Sequence, residues 1–236
     1  MARTAFPRIH LSALMVFLTL IAGTWAPASF AGSEYPEASR FAGRQLRKVD
    51  LLTTTGGKAS LAPERGKSVV LIPVFTSCPV TCPTILKDFE AALRESRTEL
   101  AKAKFEVFVV SFDPLDTVGS FKSLVARQKL PRQWIYAVPA PGRNFGEFEA
   151  LLADLDFRYR KLPGNAGGFA HPAGAYIFDD MGTVRRFLAQ AEFTKEDIVD
   201  GIVGRNNTGS GSPGKRGAKY SGGVPAGSHT EHMDHR

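Results

Sequence analysis

A continuous apolar run from Val69 to Phe75 leads into Cys78-Pro79-Val80-Thr81-Cys82-Pro83, and an amphipathic stretch follows at once. This junction constrains the fold more than any other part of the chain. An unbroken apolar run of strand length suits a strand buried on both faces, in a sheet covered by helices on its two sides. Beyond it, Ile85, Leu86, Phe89, Ala92, Leu93 and Leu100 recur on one side, with Lys87, Asp88, Arg94, Glu95 and Glu99 largely on the other. That pattern predicts a helix opened by Pro83 and running to about Leu100. Proline suits the first helical turn, where its missing N–H has no partner to lose.

The same alternation continues downstream. Phe105 to Phe112 reads as a second buried strand, and Phe121, Leu124 and Val125 mark a helix after Asp116-Thr117. Trp134 to Val138 reads as a third core strand, with Phe145, Phe148, Leu151, Leu152 and Leu155 on the helix behind it. The β-α-β order implies parallel pairing. Upstream, Val49–Leu52 and Ala59–Leu61 flank Gly56-Gly57 as two short strands around a turn. Ala173–Phe178 and Val184–Leu188, joined by Asp179-Asp180-Met181-Gly182, form a closing hairpin. Thr194 with Asp197 approximates a capping box for the last helix, and Phe193 can staple against Ile198. Pro73 cannot donate a ladder hydrogen bond, which leaves room for a bulge in its strand. The predicted class is α/β, a central mixed sheet with flanking helices, compatible with a thioredoxin-like fold.

The ends of the chain differ from this middle. Arg3 and Arg8 precede an apolar run from Leu11 to Ala26, and Ser29-Phe30-Ala31 places small residues at alternate positions, the layout of a secretory signal peptide over residues 1–31. The alternative is an uncleaved anchor, which would need about 20 apolar residues and falls short before Pro27. Residues 32–44 read as a flexible arm, residues 45–204 as the folded domain, and residues 205–236 as a disordered tail of Gly, Ser, Pro and Lys. A chain of 236 residues, 43% of them apolar, has material for one packed domain with tails. The formal charge of +7 is spread along the chain without basic runs interleaved with aromatics, which argues against a nucleic-acid partner.

Chemistry concentrates at the two cysteines. A disulfide closing so small a loop would stabilise the fold less than a long-range bridge, so the pair reads as sulfur chemistry. Cys82 falls at or beside a helix N-terminus, where the dipole favours an anion and lowers a thiol pKa. Residues four apart on one turn point the same way, so both sulfurs can converge on one ion, and paired thiolates select Cu(I) or zinc over hard cations. A structural zinc site takes four protein ligands, and the chain has no third cysteine. His171 is the one histidine in residues 45–204 and the candidate to complete the set; the alternative is a loop histidine bonded to solvent. Asp113 either tunes a metal or helps a partner dock, or simply fixes a β-α turn beside Pro114. Trp134 and the phenylalanines read as core. His229, His232, Met233 and His235 gather near the C-terminus behind a Gly- and Ser-rich stretch. They read as an auxiliary collector, imidazole suiting Cu(II), nickel and zinc and thioether suiting Cu(I), or else as a solubilising polar end.

Phe75-Thr76-Ser77-Cys78-Pro79-Val80-Thr81-Cys82-Pro83-Thr84 resembles the signature of the Sco (SenC-type) copper chaperones. Ser111-Phe112-Asp113-Pro114-Leu115-Asp116-Thr117 is similar to that family's strand-end motif, and a histidine before a strand ending Phe178-Asp179-Asp180-Met181-Gly182 is similar to its late histidine and hairpin. The resemblance runs from about Arg44 to Val203. It implies a thioredoxin-like fold and one copper, as Cu(I) or Cu(II), held by Cys78, Cys82 and His171. It also implies delivery to the dinuclear copper (CuA) subunit of cytochrome c oxidase or to another periplasmic copper protein. The expected location is the periplasm, with an inner-membrane anchored form as the alternative and membrane contact arising only through the client or an uncleaved N-terminal segment. A second reading makes Cys78 and Cys82 the catalytic pair of a thiol-disulfide reductase, in which Cys78 attacks and Cys82 resolves. That reading gives His171 no necessary role. A peroxidase reading ranks last, because no basic residue from Phe75 to Thr84 would activate the thiol.

Overall fold

The computed structural model describes residues 43–163 and 168–204. The expected signal peptide, most of the arm and the histidine-bearing tail lie outside them. Within them the chain order is β1 (Val49–Thr53), β2 (Lys58–Leu61), β3 (Ser68–Val74), α1 (Thr81–Glu95), β4 (Phe105–Ser111), α2 (Val118–Gln128), β5 (Ile135–Pro139) and α3 (Asn144–Asp154). There follow β6 (Arg160–Lys161), β7 (Phe169–Ala170), β8 (Gly174–Phe178), β9 (Val184–Ala189), a short 3-10 turn and α4 (Lys195–Val203). Among the described residues no helix is long and apolar enough to cross a membrane.

The main sheet runs β2-β1-β5-β4-β3-β8-β9. Its centre is parallel, β3 against β4 and β4 against β5, as the two β-α-β units require. Its flanks are antiparallel, where β1 joins β2 and β5 and β8 joins β3 and β9. This is the mixed α/β sheet with flanking helices that the alternation implies. Every residue of β3 and of β8 is buried, so both faces of the sheet's middle are covered. Two short strands, β6 and β7, pair apart from the sheet. Neither shows a hydrophobic period, and the sequence reading passes over them.

Three expectations need correction. The strand containing Pro73 carries no bulge: its register with β4 is unbroken from Ser68↔Phe105 to Val74↔Ser111. The carbonyl of Val74 accepts from Phe112 N–H, so its neighbour Pro73 faces β8, beyond Leu71↔Tyr176, the last pair on that side. No ladder partner is lost there. The irregularity lies instead in β8–β9, at Ile177/Phe178. The helix α1 ends at Glu95 rather than near Leu100, because the buried Ser96 turns its hydroxyl onto the carbonyl of Ala92 (2.7 Å). A serine bonding four residues back competes with helix continuation. Finally, Thr81 rather than Pro83 opens α1, with Val80 as a cap lacking any side-chain bond. Pro83 still falls in the first turn, where it is tolerated.

The cap expected at Thr194 forms, its hydroxyl accepting from Asp197 N–H at the start of α4. α2 opens on a capping box that the sequence did not announce, in which Thr117 and Ser120 exchange two bonds. The side of the fold nearest the cysteines is therefore set by three neighbouring features. These are the end of β3, the end of β4 with its capped helix, and the β6–β7 hairpin.

Candidate metal centre

The strand β3 is buried on both faces up to Val74, and the chain then turns through Phe75 to Ser77 before entering α1. Cys78 N–H reaches back to the carbonyl of Phe75 (3.4 Å). Cys82 is the second residue of α1, and its backbone N–H donates to the sulfur of Cys78 at 3.1 Å. The sulfurs thus converge because Cys78 lies beside the helix end and receives a free N–H from it, rather than because both ride one helical turn.

The electrostatics follow from that placement, and they reverse the expectation for Cys82. Cys78 is pulled down to about 6: the Cys82 thiol donates to its sulfur and the backbone N–H groups of Cys82, Val80 and Thr81 add to this, outweighing partial burial. Cys82 is pushed well above the ordinary thiol value by that same bond, by its complete burial and by the charge on Cys78. The two form one proton-sharing unit in which Cys78 carries the negative charge near neutral pH. A helix N-terminus does acidify a thiol here, but the thiol that profits is the one outside the helix.

His171 lies between β7 and β8, half-buried in a box of aromatic rings. Its ring stands 5.1 Å from that of Phe112 and 5.7 Å from those of Phe75 and Phe157. Tyr159 and Phe169 close the box against Phe112, at 4.7 and 5.4 Å. Burial holds the imidazole below its ordinary pKa, so it is neutral at neutral pH. Its Nδ1 lies 2.8 Å from the carbonyl of Pro172. A carbonyl only accepts, so Nδ1 bears the proton and the lone pair is left on Nε2. A metal-ligating histidine is commonly oriented in this way, by a carbonyl on its other nitrogen.

Asp113 is buried, accepts from Leu115 N–H (2.9 Å) and donates its own N–H to Ser111 Oγ (3.1 Å). It is built into the turn after β4, which is the plainer of the two readings of this residue. Asp116, which enters the sequence analysis only as part of a motif and with no role, bonds both the backbone and the hydroxyl of Thr76 and the hydroxyl of Ser111. That motif and a polar residue at the end of each of two buried strands were the signals. The aromatic box was missed outright, with Phe75 and Phe112 taken as undifferentiated core.

The structure brings Cys78 and Cys82 into direct contact and seats Phe75, at the head of their loop, against His171. It does not gather them further: among the described residues no group of three or more His, Cys, Asp or Glu side chains is close enough to hold a metal. His229, His232 and His235 lie outside the described residues. The donor set itself, one thiolate, one thiol at the same sulfur pair and one neutral imidazole with Nε2 available, fits a soft or borderline metal.

The sequence model of the SCO1/SenC family matches residues 38–205. No curated protein sequence matches the chain. Among solved structures, a SCO1/SenC family lipoprotein from Bacillus anthracis aligns with a TM-score of 0.57 at 19% identity, covering 68% of this chain and 94% of its own. ScoI of Arabidopsis thaliana with copper bound aligns at 0.55 and 20% identity, over 67% of this chain and 96% of its own. ScoI of Bradyrhizobium japonicum with copper bound gives 0.54 and 20%, over 66% and 96%. At these identities the likeness shows a shared fold.

Proposed function

This chain belongs to the SCO1/SenC family, and on that premise we propose that it is a copper carrier that holds one copper ion through Cys78, Cys82 and His171 and passes it to a copper protein. The observation that carries the reading is the sulfur pair. Cys78 is a thiolate near neutral pH and is in bonding contact with Cys82, and His171 offers Nε2 from a ring packed on the same loop's leading residue. Two proteins of similar fold, ScoI of Arabidopsis thaliana and ScoI of Bradyrhizobium japonicum, have structures with copper bound. As copper arrives, the cation takes the place of the proton shared by the sulfurs, and binding releases that proton. Holding one ion at all three donors requires His171 and the cysteine loop to meet at coordination distance.

We assign the ion to Cu(I) at the two sulfurs, the client to the CuA-bearing subunit of cytochrome c oxidase or another exported copper protein, and the location to the periplasm after cleavage near Ala31. Anaerobic titration with Cu(I) tests the binding step. Wild type takes up one equivalent tightly and Cys78→Ser loses the tight phase. Equal uptake by both would remove the sulfur pair from the site.

A second reading, thiol-disulfide exchange on a client's cysteines, is favoured by one observation, the asymmetry of the pair. Cys78 is ionised and suited to attack, whereas Cys82 keeps its proton while Cys78 carries the charge. In the exchange the Cys78 thiolate bonds to one sulfur of the client disulfide and expels the other as a thiolate. With the Cys78 charge gone into the mixed disulfide, Cys82 passes its proton to the expelled client thiolate and, as a thiolate, displaces the first client sulfur, leaving a Cys78–Cys82 disulfide and a client reduced to one thiol and one thiolate. The disulfide form has no thiolate to offer copper, so the two activities alternate on one pair.

A further inference from the structure

We propose that Asp116 is the positioning residue of the copper site: its carboxylate ties the head of the cysteine loop to the end of β4 and places a fixed negative charge beside the sulfur pair. The proposal rests on the copper reading above.

Thr76 and Asp116 follow two paired parallel strands, β3 and β4, whose last register pair is Val74↔Ser111. One carboxylate oxygen accepts from Thr76 N–H at 2.7 Å and from the Ser111 hydroxyl at 2.5 Å; the other accepts from the Thr76 hydroxyl. Ser120 lies 3.5 Å away, but its hydroxyl is already spent on the carbonyl of Thr117 at 2.9 Å. Asp116 is itself anchored, by its N–H to the carbonyl of Asp113 (3.0 Å) and by the capped start of α2 directly after it. The clamp therefore fixes the peptide of Thr76. The residue before it, Phe75, accepts from Cys78 N–H and carries the ring that touches His171. Both halves of the donor set hang on the segment that Asp116 holds.

A neutral side chain could satisfy donors of this kind. A half-buried carboxylate surrounded by neutral donors, with no salt bridge among the described residues, carries a desolvation cost that a purely structural anchor need not carry. Its charge is close enough to be felt at Cys82. The missing counter-charge is the incoming copper ion.

The test compares wild type, Asp116→Asn and Asp179→Asn. Asp179 is a matched anchor in the distant β8–β9 turn, accepting from Met181 N–H and Thr183 N–H. Competition with a chromophoric Cu(I) chelator reads affinity, the sulfur-to-copper charge-transfer band of the Cu(II) form reads the ligand field, and amide hydrogen exchange of Thr76 in metal-free protein reads the clamp. Asp116→Asn weakens Cu(I) binding on the order of tenfold, shifts the band and speeds exchange at Thr76, whereas Asp179→Asn lowers Tm alone. Cu(I) affinity of Asp116→Asn within about twofold of wild type, or an equal loss in Asp179→Asn, overturns the proposal. If wild type itself takes up no Cu(I), the copper reading fails, and with it the charge half of this proposal. Unchanged Thr76 exchange in Asp116→Asn then overturns the clamp as well.

Discussion

Replacing Phe112 by alanine tests the aromatic box that seats His171. Phe112 is fully buried and its ring meets those of Phe75, Phe157, Tyr159, Phe169 and His171 at centroid distances between 4.7 and 5.5 Å. Truncation forfeits the transfer free energy of the ring and leaves a cavity, together about 3–5 kcal/mol for a buried phenylalanine. Rings on several elements cannot all collapse into the gap, because Phe75 is fixed by β3 and Phe169 by the β6–β7 pairing, so the upper half of that range applies. For a domain of this size that corresponds to a drop in Tm of roughly 8–20 °C. Urea unfolding followed by far-UV circular dichroism should show the midpoint falling with the slope unchanged. Leu115→Ala is the control: Leu115 is 77% exposed on the next loop residue but two and should cost no more than about 0.5 kcal/mol. A Phe112→Ala loss below about 1 kcal/mol, or one no larger than the control's, would refute the view that these rings act as one packed unit.

Near neutral pH the folded sulfur pair holds one proton, on Cys82, while the unfolded chain holds two until about pH 8.5. Folding thus releases a proton, so the stability of the reduced, metal-free protein rises from about pH 6 to about pH 8.5 and is lost as pH falls through about 6. Above the ordinary thiol range the sign reverses, because only the unfolded chain gives up the second proton. Urea midpoints between about pH 7 and pH 8.5, above the ordinary histidine range, should show the rise in wild type and not in Cys78→Ser, and a flat wild-type profile would contradict the pairing. Gly174→Ala should destabilise on the order of 2 kcal/mol, since its Cβ would lie 2.3 Å from the carbonyl oxygen of Leu188 and 2.7 Å from the ring of Phe187; an unchanged denaturation midpoint would show that β9 can yield. Truncation after Arg205 should remove weak Cu(II) binding and leave the Cu(I) site intact, and equal stoichiometry under excess Cu(II) would make the tail a bystander.

The strands and helices that carry long apolar periods were legible from sequence, because burial on both faces of β3 and β4 leaves an unbroken apolar run and α1 shows a clear stripe. Arg160-Lys161 and Phe169-Ala170 were not, since two-residue strands show no period and their pairing is a long-range event. The same distinction divides the candidate site. Two cysteines beside a helix start can be read from spacing, but which sulfur is the thiolate depends on which N–H and which thiol it receives, and spacing pointed to the wrong one. The role of Asp116 was hidden for a related reason: its partners Thr76 and Ser111 become neighbours only when β3 and β4 align in parallel. The role of the aromatic rings was hidden because phenylalanine in a buried strand looks the same whether it packs on leucine or on an imidazole.

X-ray absorption at the copper edge of the Cu(I)-loaded protein, for wild type and His171→Ala, tests the assignment of Cys78, Cys82 and His171 most directly. The account predicts two sulfur ligands and one nitrogen ligand in wild type, and loss of the nitrogen together with weaker binding in the variant. A wild-type spectrum with sulfur ligands alone, or a His171→Ala protein with the same spectrum and affinity as wild type, would contradict it.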